Sequence, residues 1–151
     1  MSRKILVAVD GSDHGWMALD LATDIAKASN AEMIVLHVVP YEPLPKGFTK
    51  YAKVEGVAVE ELGARYRDAR IIGDEIKREA EARVRKNGLA RVAAHAVEGN
   101  PAQEIVALAK AEGADMVFLG SRGLSDFQGL LIGSVSHKVM HLAPCTCVAV
   151  R

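Results

Sequence analysis

The chain is poor in cysteine, and the little it has sits in one place. Cys145 and Cys147 are the only two in 151 residues. They lie two apart in an apolar stretch that reads as a last strand, so they point to one face, where a direct disulfide would be strained. A cysteine metal site needs a second pair, and the sequence contains none. The first ten residues carry two basic side chains before a short apolar run, which Asp10 ends at once. That predicts a first strand rather than a signal peptide, and a reduced, cytoplasmic protein. No apolar run is long enough for a membrane span. Charge of neither sign is in excess: nineteen basic side chains balance nineteen acidic ones. No net field therefore draws the protein to nucleic acid or to an anionic membrane, and any anion must be held by local geometry. Two common nucleotide signatures are also missing. No G-x-x-x-x-G-K-[ST] occurs, which excludes a P-loop, and no G-x-G-x-x-G follows the first strand, which excludes the usual dinucleotide fingerprint.

Half of the residues are hydrophobic and a quarter are charged, a composition that suits one globular domain over residues 1–151. Strands and helices alternate along it. Ile5 to Val9 and Met33 to Val39 are β-branched, unbroken apolar runs, as in strands buried on both faces of a parallel sheet. Between them, Ser12 or Asp13 can cap a helix on which Met17, Leu21 and Ile25 recur four apart beside Ala18, Ala22 and Ala26, ending near Asn30. Pro40, Pro43, Pro45 and Gly47 mark an irregular connection. A long charged helix follows from about Glu60 to Lys86, with Leu62, Tyr66, Ile72, Ile76, Ala80 and Val84 as its apolar stripe. Gly63 and Gly73 weaken the first half of that helix, and Asn87 and Gly88 end it. Val92 to Val97 is a weaker strand. Asn100 as cap, Pro101 at the first position and Gln103 reaching back start the next helix, which Gly113 ends. Five such alternations predict an open parallel sheet with helices on both faces, in which ligands bind beyond the C-terminal strand ends.

The residues from Asp115 to Ala143 organise the rest. Met116 to Leu119 is a fourth buried strand. A loop then carries Gly120 and Gly123, and Gly133 and Ser134 open a helix with Val135, Val139 and Leu142 at helical spacing, stopping before Pro144. Thr146 to Val150 is a fifth strand. Strand, glycine loop and helix together suit a phosphate, because the first helical amides lack partners and carry partial positive charge. Glycine permits positive φ and close backbone approach. Ser134 and Ser136 add hydroxyl donors, and Arg122 adds a guanidinium.

The spacing G-x2-G-x9-G-[ST] of Gly120, Gly123, Gly133 and Ser134, set in GSRG and GSVSHKV, resembles the ATP-binding signature of the universal stress protein family. ILVAVDGS, LHVV, GNPAQEI and APC extend the likeness over nearly the whole chain. The resemblance implies a Rossmann-like sheet in the order 3-2-1-4-5 and a homodimer paired through strand five. It implies ATP with magnesium or manganese as ligand: Asp10 meets the nucleoside or a metal beside the phosphates, the Val38 backbone reads the adenine edge, and Gly120, Arg122, Gly123, Gly133, Ser134, Val135 and Ser136 surround ribose and phosphates.

Chemistry beyond binding finds little support. Asp10 as an aspartyl-phosphate nucleophile of a phosphatase wants a second carboxylate two residues on, where Ser12 stands. A receiver domain wants an acceptor aspartate after the third strand, where Glu98, Gly99 and Asn100 stand. His137 and His141 share a helix face, but Lys138 stands where a zincin has glutamate. His37 reads as a hydrogen-bonded core histidine. With no paired base and nucleophile, the expectation is a nucleotide-binding regulatory module without catalytic residues, turning ATP over slowly if at all. The alternatives are an adenine-nucleotide hydrolase, or a dimeric interaction protein that needs no nucleotide.

Overall fold

A computed structural model of the chain describes residues 3–40, 59–123 and 132–151, with side chains left out for 59–66. The proline-rich connection after Pro40, the Leu62 and Tyr66 side chains, and the stretch 124–131 inside the glycine signature lie outside the described residues.

Among the described residues five strands alternate with four helices: β1 (Lys4–Ala8), α1 (Asp13–Ser29), β2 (Glu32–Pro40), α2 (Val59–Lys86), β3 (Val92–Gly99), α3 (Pro101–Glu112), β4 (Met116–Gly120), α4 (Ser134–Leu142) and β5 (Thr146–Val150). All neighbouring strands pair in parallel, in the order β3-β2-β1-β4-β5. On one face Ile5, Val7, Met33, Val35 and Phe118 pack under α1 and α2. Leu6, Ile34, Leu36, Val117 and Leu119 pack under α3 and α4 on the other. β1, β2 and β4 are thus buried on both sides, which is why their sequences are continuously apolar. β3 lies at an edge and alternates half-buried with exposed residues, so its sequence signal is weaker.

The helix caps follow from side-chain chemistry. Ser12 caps α1 by accepting from the Gly15 amide at 3.1 Å. Asn100 caps α3 by accepting from the Gln103 amide at 3.2 Å, with Pro101 next. Only this half of the expected reciprocal pair forms among the described residues. Gly88, at φ 90°, follows α2 in the left-handed region, and Asn30, at φ 54°, ends α1.

Three apolar stripes differ from expectation. α1 buries Ala18, Leu19, Ala22 and Ala26, whereas Met17 and Leu21 are 47% and 41% exposed. Period four fitted either stripe, and small side chains won because they let the helix lie close to the sheet. Leu142 on α4 and Ile72 on α2 are likewise exposed. The first half of α2 is helix despite its glycines, and Gly73 has a packing reason to be there. A Cβ at Gly73 would lie 2.7 Å from Val39 Cγ2 and 3.1 Å from His37 Cδ2. Gly73→Ala adds about 1 kcal/mol of helix propensity, but crowding two stiff side chains costs about 1–3 kcal/mol. We therefore expect net destabilisation, seen as a lower urea midpoint; an unchanged or higher midpoint would contradict this contact.

Candidate functional site

β1 and β4 are neighbours, yet the chain leaves them toward opposite edges of the sheet. Their C-terminal ends therefore border a crevice, where ligands of open α/β sheets sit. It has a volume of about 240 Å³. Its floor is apolar, from Ala8, Leu36, Val38 and Leu119, with Pro101 and Ile105 of α3 as a wall. Asp10, Arg122, Ser134 and Ser136 give it a polar side. Eight of the nine residues expected from the sequence line this space: those four with Val38, Gly120, Gly123 and Val135. Gly133 does not. It is buried, with its amide donating to the Ser121 carbonyl.

Among the described residues α4 begins without a side-chain cap. Its N-cap is Gly133, at φ −72° and ψ 163°, so Ser134 is the first helical residue and caps nothing. The first intrahelical bond runs from the His137 amide to the Gly133 carbonyl at 2.9 Å. Among the described residues the Ser134 amide has no partner, and the first turn of α4 faces the crevice. The Ser136 hydroxyl donates to the Gly120 carbonyl. That bond ties α4 to the end of β4.

Two of the glycine arguments change as well. Neither Gly120 nor Gly133 has positive φ. Gly120 is instead a close contact, because a Cβ there would lie 2.8 Å from the His14 carbonyl carbon and 2.9 Å from the Gly15 nitrogen. Positive φ occurs at Gly11, 85°, in the turn that follows Asp10.

Asp10 stands across the crevice from α4 on a fixed side chain. Its Oδ1 accepts from the Ser12 amide at 2.9 Å and from the Ser12 hydroxyl. Ser12 in turn caps α1, so one serine joins the carboxylate to a helix start. Oδ2 has no partner among the described residues.

Two residues of the site region escaped the sequence. Ser121 is buried, its amide donating to Val150 at 2.7 Å and its Oγ lying 3.2 Å from His14 Nδ1. Its place inside GSRG was the only signal. His37 lines the crevice with its Nδ1 at 2.8 Å from the Val9 carbonyl, so it is the hydrogen-bonded, buried histidine expected, but at the site's edge. His137 and His141 are both exposed on α4, and no cluster of three metal-ligating side chains occurs among the described residues. Cys145 and Cys147 are free and half-buried. Burial pushes both thiols up from their ordinary value, with Asp115 adding to the effect at Cys145 and Cys145 adding to it at Cys147.

A doubly wound α/β domain with an uncapped helix start facing a carboxylate at its strand-order reversal is a ligand-binding architecture of a recognisable kind. The universal stress protein family model matches residues 1–151, and the chain belongs to that family. It is 34% identical over 152 residues to universal stress protein YxiE of Bacillus subtilis (strain 168), covering 100% of both. Among solved structures it is similar to universal stress protein UspA of Lactobacillus plantarum, with a TM-score of 0.72 and 25% identity over 99% of this chain and 97% of that one. It is also similar to a universal stress protein in complex with cAMP, with a TM-score of 0.69 and 28% identity over 99% and 97%.

Proposed function

We propose that this single-domain, cytoplasmic protein binds ATP in the crevice between β1 and β4 and works as a stress-response module that reports nucleotide occupancy to a partner. The observation that carries this is the uncapped start of α4 facing Asp10 across an apolar floor. Bare amides and helix dipole suit phosphates, and the floor suits a flat base. The related protein in complex with cAMP supports an adenine nucleotide as the class of ligand.

Each residue then has a task. Gly120, Arg122, Gly123, Gly133, Ser134, Val135 and Ser136 hold ribose and phosphates through main-chain donors and one guanidinium, Gly133 doing so by setting the start of α4. The Val38 main chain reads the adenine edge. Asp10 offers one free carboxylate oxygen, enough for a ribose hydroxyl or for magnesium or manganese shared with the phosphates, since such ions need only one or two protein carboxylates. A bound ion would offset phosphate charge; the chain's own residues orient and desolvate the nucleotide. Among the described residues that line the crevice, no hydroxyl is paired with a base, the Ser121–His14 pair lying outside that lining, which favours binding over the hydrolase alternative.

β5 is an edge strand, and a second copy pairing along it would form the proposed homodimer. The nucleotide-independent interaction protein is the competing view. Thermal unfolding separates the two: with ATP and magnesium at about a hundred times Kd, we expect about 2.7 kcal/mol of stabilisation, a rise of roughly 5–10 °C in Tm. Gly123→Val, which puts a branched side chain into the loop, should remove the rise. A wild-type Tm unmoved by millimolar ATP and magnesium sinks the function.

A further inference from the structure

We infer that His37 acts as a positioning residue that stops the β1–β2 ladder one step early and leaves the Val38 main chain free to select the base. This rests on the proposal that the crevice takes an adenine nucleotide.

The direction of each β2 peptide follows from its bonds. The Glu32 amide donates to Arg3, on the β1 side, at 2.8 Å, while the Met33 amide donates to Arg91, on the β3 side, at 3.0 Å. Peptide groups alternate sides along a strand, so Leu36 and Val38 also face β1. The Val9 amide indeed donates to the Leu36 carbonyl at 2.9 Å. In a parallel ladder the next bond would run from the Val38 amide to the Val9 carbonyl. That bond is not formed among the described residues. His37 Nδ1 occupies the Val9 carbonyl instead, at 2.8 Å. A carbonyl only accepts, so the ring nitrogen carries the proton and donates.

The ring is confined to that task. His37 is 7% exposed, and Gly73 of α2 approaches so closely that an added Cβ would lie 3.3 Å from Nε2. Nothing in the binding proposal uses the ring, yet it borders the crevice. With the Val9 carbonyl satisfied by a side chain, the chain turns away at Asp10, and the Val38 N–H and C=O lie side by side at the crevice. One donor beside one acceptor complements the Watson–Crick edge of adenine, which offers an acceptor ring nitrogen next to a donor amino group. His37 thus spares the β2 backbone for the ligand while keeping the end of β1 bonded.

The test needs both a structural and a binding readout. Amide exchange by NMR on the ligand-free wild type should show Val38 exchanging at least about a hundredfold faster than Leu36, because only the second is in the ladder. In His37→Phe the Val38 amide should slow markedly as it takes over the Val9 carbonyl. ATP affinity should fall about tenfold, the loss of one main-chain contact, whereas affinity for inorganic tripolyphosphate, which has no base, should not change. His37→Asn, which restores a donor at the same position, should recover ATP affinity and also serves if the Phe variant does not fold. A protected Val38 amide in the wild type overturns the inference, as does a folded His37→Phe that binds ATP like wild type. A wild type with a fast Val38 amide but no affinity for ATP would instead sink the nucleotide function and the base-selecting role with it, while the histidine-for-amide exchange would stand.

Discussion

Gly120→Ala should lower the free energy of unfolding by about 3 kcal/mol, the upper end of the usual cost of overpacking. With a urea slope of roughly 1.5 kcal/mol/M for a domain of this size, the midpoint should drop by about 2 M. The size follows from what the methyl group would strike. It would lie 2.8 Å from the His14 carbonyl carbon, 2.8 Å from His14 Cβ and 2.9 Å from the Gly15 nitrogen, and two of these three are backbone atoms that no rotamer change can move. α1 would have to lift from the end of β4, disturbing the Ser12 cap and with it the hold on Asp10. A neighbouring site would therefore be damaged through the fold, so loss of nucleotide binding in this variant would say nothing about a direct contact. A midpoint within about 0.5 M of wild type would show that α1 does not sit this close.

Gly120 also marks the limit of what the sequence disclosed. The spacing of Gly120, Gly123, Gly133 and Ser134 located the loop, and the unbroken apolar runs of β1, β2 and β4 announced strands covered on both faces. Those are local signals, and they survive. The reason for Gly120 lies in α1, more than a hundred residues earlier, and contact between distant segments leaves no trace in local spacing. The role of His37 depends on pairing register, since only the bonds of Glu32, Met33 and Val9 reveal which way each β2 peptide points. Strand order came from family resemblance rather than periodicity, and the structure bears it out. On α1 the pattern was legible but double, with Met17 and Leu21 as plausible a buried face as the alanines. Helix-to-sheet distance decides such a case, and the sequence does not carry that distance.

Ser134→Pro is expected to separate binding from folding. Proline is favoured at the first position of a helix, where its missing N–H costs no intrahelical bond. The preceding residue must be extended, and Gly133 already is, at φ −72° and ψ 163°. Unfolding free energy without ligand should therefore stay within about 0.5 kcal/mol of wild type. The crevice, however, loses both a bare amide and a hydroxyl from the turn that faces it. A hydrogen bond to a charged group contributes about 1.5–3 kcal/mol, so ATP affinity by calorimetry should fall by about ten- to a hundredfold. Ser134→Ala removes the hydroxyl alone, and the difference between the two variants isolates the main-chain donor. If proline and alanine weaken ATP equally, the amide contributes nothing and the hydroxyl carries the contact. If neither weakens it, the start of α4 is not where the phosphates lie, because no other change in these variants could restore a lost donor at that position.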